Sequence, residues 1–563
     1  SCRRRLDVDF PRLRLRWACL RRTSRRGLAP QARVLPAWAT VDPWAMSGAE
    51  PHTVLDSIGG EWVSGDATMT VPDPLNGEPF LVVPDSRGEA TVAAFASSLN
   101  ACPKSGLHNP YKHVERYLML GDVCARAGAE LAKPEVEDFF TRLIQRVAPK
   151  SDAQARGEFK VSAAFVRNFS GDQVRFLARS FGVPGDHAGQ RSQGMRWPYG
   201  AVALISPFNF PLEIPLLQLL GALFMGNKVC MKNDQRVSVV MEQALRLLHY
   251  AGLPQQDVDF ANLGGAATGA LLGKAQPRLT QFTGSQAVAE RISAQLGGRV
   301  KLEDAGFDWK VLGPDVGDAD YVAWCCDQDA YAYSGQKCSA QSILFMHAHW
   351  TNPEVDIEAR LKKLAARRTL ADLTVGPVLT VTDAAFEAHR DRLLSIPGAY
   401  LAFGGRLLRD VDEAAQAIPE CYGAWEPTAV HVPLDQLTSE AHFEACTKEI
   451  FGPFQVLTTY TGAQLPVVLE ALERLEAHLT AAVVSNDQAF THRVLGHTVN
   501  GTTYCGRRAR TTGAPQNHFF GPAGDPRGAG IGTPEAIRAT WSCHREVILD
   551  ELVPDGWTTP EST

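Results

Sequence analysis

A chain of 563 residues, 45% hydrophobic and 21% charged, is too long to bury its apolar side chains around one core, so two or three packed domains are expected. The longest apolar run, Ile214 to Met225, is too short for a membrane span and contains Gln218, which excludes membrane insertion and favours a buried helix. Twelve cysteines with no CxxC and no His/Cys pairs at zinc-ligand spacing exclude a disulfide framework and a metal site, and read as free thiols.

Residues 1 to 46 hold eleven Arg, no Lys and only Asp7, Asp9 and Asp42, a charge of about +8 that leaves the remainder near −14 within the overall −6. Arg-rich, acid-poor and interleaved with Leu13, Leu15, Trp17 and Leu20, this stretch has the composition of an organelle transit peptide. A nucleic-acid-binding arm and a leader without function are the alternatives, but the acidic body offers no second basic surface for nucleic acid. Pro51 to Pro84 reads as short strands and turns, marked by Asp73-Pro74 and Asn76-Gly77. Val92 to Leu131 and Val136 to Ser180 have helical spacing and are expected to cover one face of a sheet.

Beyond Pro198 the pattern alternates: strand Gly200 to Ile205, helix Pro211 to Met225, strand Lys228 to Lys232, helix Val237 to Ala251, strand Val258 to Leu263. Strands Arg278 to Thr283 and Arg299 to Glu303 follow, separated by a helix from Ala287 to Leu296. Such alternation specifies parallel βαβ units. A nucleotide-binding half therefore comprises 51 to 180 and 199 to 304, and a second α/β half runs from 305 to 505. Residues 181 to 198 and 536 to 552 are expected to supply strands that pair with another subunit.

Several short segments carry chemistry. Cys338, in Ser334-Gly335-Gln336-Lys337-Cys338-Ser339, is a candidate nucleophile, and a reactive thiolate asks for positive electrostatics such as helix N-terminal amides. Glu303 ends a strand before a Gly turn, where a general base can meet a cofactor cleft. Asn209, between Pro207 and Pro211, is placed to aim an amide at an oxyanion. Lys232 ends a strand, and Phe282-Thr283-Gly284-Ser285 opens a helix whose amides can receive a phosphate. GxGxxG is absent, and Gly264-Gly265 with Gly269 is a partial match to a dinucleotide turn. Singly, each has an ordinary reading: a buried thiol, a surface carboxylate, a structural turn.

Taken in order and spacing, Pro-Phe-Asn-Phe-Pro at 207 to 211, Lys232, Phe-Thr-Gly-Ser at 282 to 285, Leu302-Glu303, Gly-Gln-Lys-Cys ending at Cys338, and Glu449-Ile450-Phe451-Gly452-Pro453 resemble the aldehyde dehydrogenase superfamily from about residue 55 to 552. The resemblance implies an α/β fold with a Rossmann-like NAD-binding domain, an α/β catalytic domain and a small β oligomerisation element, hence a homo-oligomer. It implies Cys338 as nucleophile, Glu303 as the deacylation base, and Asn209 with the Cys338 N–H as oxyanion hole. The cofactor would meet Ser206, Pro207, Phe208, Lys232, Gly265, Gly269, Phe282, Thr283, Gly284, Ser285, Glu449 and Phe451. Gln235 stands where the family often has Glu three residues after the lysine, and an amide repels a 2′-phosphate less, so NAD is expected with NADP as a weaker alternative.

Lys301 to Lys310 and the stretch from Gly513 to Gly528 resemble the plant pyrroline-5-carboxylate dehydrogenase branch of that family, which departs from the common Glu-Leu-Gly-Gly. That branch implies oxidation of L-glutamate γ-semialdehyde to glutamate in the mitochondrial matrix, which agrees with the Arg-rich leader. Ser339, Gly528 and Gly530 are the implied substrate anchors. A dehydrogenase of another acidic semialdehyde, such as succinate semialdehyde, and a non-catalytic relative of the same fold are the alternatives.

Overall fold

The computed structural model describes residues 34 to 304, 306 to 513 and 518 to 563. Most of the Arg-rich leader, and Pro515 to Asn517, lie outside these residues. Residues 34 to 46, counted with the leader on composition, belong to the folded body. Trp38, Val41 and Met46 are buried, Trp38 meets Phe139 edge-on at 5.3 Å and stacks on Phe140 at 5.6 Å, and Gln243 exchanges hydrogen bonds of 2.9 and 2.8 Å with Thr40.

One seven-stranded sheet has the order 300–304, 279–284, 201–205, 228–232, 258–261, 56–58, 61–63. Its first five strands are parallel, and the last two add an antiparallel edge. Ala201–Ile205 lies in the middle and is buried along its whole length, as a strand covered on both faces must be. Val202, Leu204, Val229 and Met231 face the helices Glu213–Phe224 and Ser238–Tyr250. Ala201, Cys230 and Ala261 face Glu89–Asn100 and Gly265–Ala275.

The early helices therefore divide between the two faces, contrary to the expectation of one. Glu89–Asn100 packs directly on the sheet, whereas Glu115–Leu131, Pro134–Val147 and Asp152–Asn168 form an outer layer on the opposite side. Pro134–Val147 shows why: Pro134 and two acids begin it, and Val136, Phe139, Phe140, Leu143, Ile144 and Val147 form one apolar stripe with a solvated back.

A second seven-stranded sheet runs 400–403, 428–431, 454–460, 341–347, 308–312, 480–484, 502–505, parallel except for its first pair. Two three-stranded sheets complete the structure. One joins 52–53, 79–84 and 68–72; the other joins 542–550, 190–198 and 181–184. The last strand starts at Ser542 because Pro534–Trp541 is a helix capped by Thr533. Among the described residues no helix is long and apolar enough to cross a membrane.

Candidate active site

Strand register assembles one wall of the site. Ile205 pairs with Lys232 and with Phe282, and Thr283 pairs with Glu303. The C-terminal ends of four parallel strands thus emerge at one edge, beside the central strand where the winding order reverses, which is where α/β sheets bind ligands. Ser285 follows as N-cap of the helix Gln286–Gln295, and its hydroxyl makes no capping bond. The amides of that first turn remain oriented for an anion.

The loop carrying Asn209 is fixed from below. Fully buried Lys150 donates to the Asn209 carbonyl at 2.8 Å and to Glu158 Oε2 at 2.8 Å, and lies over the Tyr333 ring at 3.9 Å. Glu158 Oε1 in turn accepts from the N–H groups of Leu212 and Glu213. A buried ion pair is expensive to desolvate, so its value here is geometric: Lys150 and Glu158 together bond the backbone of Asn209, Leu212 and Glu213. One Asn209 Nδ2 proton goes to the Gln336 carbonyl at 3.2 Å, and Asn209 Oδ1 has no partner.

Cys338 follows an unusual turn. Tyr333, Ser334 and Gly335 have φ of 56°, 50° and 66°, and a side chain at Gly335 would overlap the Gly452 carbonyl. Consecutive left-handed residues cost on the order of 1–3 kcal/mol each and persist only where packing enforces them. Here Ser334 Oγ accepts from Gly376 N at 2.8 Å, while buried Gln336 donates to the Pro377 carbonyl at 3.0 Å and accepts from Leu379 N at 2.8 Å. The turn thereby presses residues 335 to 338 against Glu449 to Gly452, where Phe451 also has positive φ.

Cys338 and Ile214 are shared by two cavities. One, of about 530 Å³, is walled by Ser206, Pro207, Phe208, Asn209, Lys232, Phe282, Thr283, Gly284, Ser285, Glu303, Glu449 and Phe451. The other, of about 370 Å³, is walled by Glu158, Phe210, Glu213, Lys337, Ser339, Arg510, His518 and Phe520, among others. Gly265 and Gly269 line neither; they lie in the helix Gly265–Ala275.

Gly528 and Gly530, the expected substrate anchors, also line neither cavity. The Arg527 carbonyl accepts from Leu302 N and Ala529 N donates to the Leu302 carbonyl, both at 2.8 Å, so the loop extends the edge of the strand that carries Glu303. Gly530 packs against the Phe519 ring, and Ile531 and Gly532 reach the cavity in their place. Gln235 is likewise turned away, donating to the Pro84 carbonyl at 2.8 Å and to Asp85 at 3.3 Å.

Electrostatics around the thiol differ from expectation. Burial, then Glu303, then Asp308 and Glu449 push the Cys338 thiol well above its ordinary range. Burial raises Glu303 to about 7, against a lowering contribution from the adjoining Cys338 thiol, and neither carboxylate oxygen has a well-formed hydrogen bond. Burial also lowers Lys232. In the second cavity, burial lowers Lys337 to about 8, and its ammonium donates to the Gln328 carbonyl at 3.2 Å.

The dinucleotide suits the first cavity on its own terms. Ser206 Oγ and both Glu303 oxygens are buried without partners on its wall, and Lys232 and Glu449 bring hydroxyl-binding groups to it. Lys150, Glu158, Glu213, Lys337, Arg510 and Gln336 are additions to the residues singled out by sequence. Only Glu213, directly after the Asn209 loop, and Lys337 and Gln336, inside the Cys338 segment, carried a positional signal.

The aldehyde dehydrogenase family profile matches residues 62 to 524. The chain belongs to the aldehyde dehydrogenase family. It is 62% identical over 527 residues, 93% of its length and 94% of the relative's, to a probable aldehyde dehydrogenase of Linum usitatissimum. It is 60% identical over 528 residues, with the same coverage, to the mitochondrial delta-1-pyrroline-5-carboxylate dehydrogenase 12A1 of Arabidopsis thaliana. The family fold is shared with a Staphylococcus aureus betaine aldehyde dehydrogenase in complex with NAD+, at TM-score 0.76 and 16% identity over 90% of this chain and 97% of that one. An NADP-dependent glyceraldehyde-3-phosphate dehydrogenase from Bacillus halodurans, complexed with NADP, gives TM-score 0.74 and 20% identity over 88% and 99%.

Proposed function

We propose that this aldehyde dehydrogenase oxidises L-glutamate γ-semialdehyde, the open form of 1-pyrroline-5-carboxylate, to L-glutamate in the mitochondrial matrix, with NAD as cofactor and NADP as a weaker one. The observation that carries the reading is the position of Cys338 between two cavities, with the Glu303 carboxylate against its thiol and Asn209 on the nucleotide side. The 60% identity to a pyrroline-5-carboxylate dehydrogenase supports the substrate, and that relative's mitochondrial name with the Arg-rich leader supports the compartment. Any targeting segment ends before Trp38, which belongs to the core.

The chemistry follows from the groups. Glu303 takes the Cys338 proton, and the sulfur attacks the aldehyde carbon. The Asn209 amide and the Cys338 N–H receive the resulting oxyanion, each such donor being worth about 3 kcal/mol. The bound nicotinamide supplies a hydride acceptor. Lys232 and Glu449 would hold the riboses, Ser285 and its helix start the pyrophosphate, and Phe451 would pack near the nicotinamide ribose. Loss of hydride from the carbon bonded to sulfur leaves a Cys338 thioester; once Glu303 has released the thiol proton to solvent, it deprotonates the water that hydrolyses the thioester, and the departing sulfur is reprotonated as the acid leaves.

In the substrate cavity Ser339 and the Lys337 ammonium provide donors for a carboxylate, and Glu158 and Glu213 add acids to the lining. The sheet of 181–184, 190–198 and 542–550 exposes Phe181, Val183 and Ile548, an arrangement that fits pairing with a second copy.

Steady-state oxidation of glutamate semialdehyde by wild type and Cys338→Ala, beside succinate semialdehyde, tests the reading. The wild type favours the glutamate substrate in kcat/KM, and the variant loses at least about 10³-fold. Wild-type turnover by the variant would remove Cys338 from the reaction, and a preference for succinate semialdehyde would reassign the substrate.

A further inference from the structure

Glu213 is the first residue of the helix Glu213–Phe224, four positions after Asn209, and it lines the cavity on the substrate side of Cys338. Its acidic neighbour Glu158 is fully engaged, with Oε2 on Lys150 and Oε1 on two backbone N–H groups. No donor among the described residues bonds the Glu213 carboxyl group. It is close enough to Glu303 to feel its charge, so it sits within a short substrate's length of the reacting sulfur. The same cavity is lined by two cations, Lys337, which donates to the Gln328 carbonyl at 3.2 Å, and Arg510, which is bonded to Asp329 at 2.6 Å. The lining thus holds one unengaged acid and two cations, with the Ser339 hydroxyl as a neutral donor.

We propose that Glu213 is the specificity-determining residue that receives the α-ammonium of the substrate, an inference that rests on the glutamate-semialdehyde reading of this site. An α-amino acid head presents a carboxylate and an ammonium on one carbon, and a lining that holds both cations and an unengaged acid can pair with each. An ammonium paired with Glu213 keeps its proton and has no lone pair with which to add to its own aldehyde. The pairing therefore selects the open chain over the cyclic imine. Burial and the Glu158 charge, partly offset by Lys150, raise Glu213 to about 8, and an ammonium beside it supplies a counter-charge that favours the ionised carboxylate. A purely structural role at the helix start would stabilise the fold without distinguishing two aldehydes of the same length.

The test compares kcat/KM for glutamate semialdehyde and for 5-oxopentanoate, the same chain without the amine, in wild type, Glu213→Gln and Glu213→Asp. The expected result is at least a tenfold fall in the ratio of the two for Glu213→Gln, with Glu213→Asp, which keeps the charge, closer to wild type. A ratio within twofold of wild type in Glu213→Gln overturns the inference while leaving the function intact; wild type that does not oxidise glutamate semialdehyde overturns both. Product inhibition of the wild type is independent of how the variants fold: L-glutamate should inhibit at least tenfold more strongly than glutarate, and equal inhibition contradicts the assignment.

Discussion

Glu303 is the residue whose titration should be visible in the kinetics. Its carboxyl group, raised to about 7 by burial, is protonated and useless as a base below that value and ionised above it. The free-enzyme kcat/KM of the wild type should therefore rise with pH through about 7, and Glu303→Gln should lose that limb together with about 10²–10⁴ in rate. A pH profile of both proteins checks this, and an unchanged limb in the variant would assign the titration elsewhere. Cys338, Glu303 and Asn209 became candidates through the order and spacing of the motifs that carry them and the family resemblance these imply, each segment being ambiguous alone. Lys150, Glu158 and Arg510 did not, because their partners lie far along the chain: Lys150 meets Asn209 59 residues on, and Arg510 meets Asp329 181 residues back. No local pattern marks a charge that a distant element neutralises.

Among elements, the parallel strands were the most readable, since a strand covered on both faces is apolar at every position. The Gly-rich stretch after Asp525 is ambiguous in sequence for a physical reason. Glycine permits close backbone approach to a ligand, but equally to another strand, and here it lets the loop pair with Leu302. The turn before Cys338 uses the same property under strain. Gly335→Ala would add a side chain at φ of 66° and against the Gly452 carbonyl, pushing residues 335 to 338 away from Glu449 to Gly452. It should destabilise by more than about 2 kcal/mol, through backbone strain and steric overlap together, and lower kcat as well as the thermal midpoint. Unaltered kcat and midpoint would mean that the turn does not set the position of the sulfur.

For the whole molecule, two seven-stranded sheets contribute opposite walls: strand ends 205, 232, 284 and 303 from one, and the 333–338 turn with 449–452 from the other. Composition groups residues 34 to 46 with the leader, whereas burial of Trp38, Val41 and Met46 and the contact of Trp38 with Phe139 and Phe140 depend on distant segments that composition does not show. The exposed edge strands bear on assembly. Ile548, 65% exposed, is a contact of the proposed subunit pairing. Ile548→Lys should shift the mass measured by light scattering toward smaller species, and an unchanged mass would exclude this face from the interface.

The account depends on acylation of a single sulfur, and Glu303→Gln offers the means to see it, because deacylation is slowed while a residual rate of attack remains. Mixed with NAD and glutamate semialdehyde, quenched in acid and digested, the variant should yield the Cys338 peptide carrying one glutamyl acyl group in an amount equal to the first burst of NADH. A burst with Cys338 unmodified, or with the acyl group on another cysteine, would contradict the mechanism.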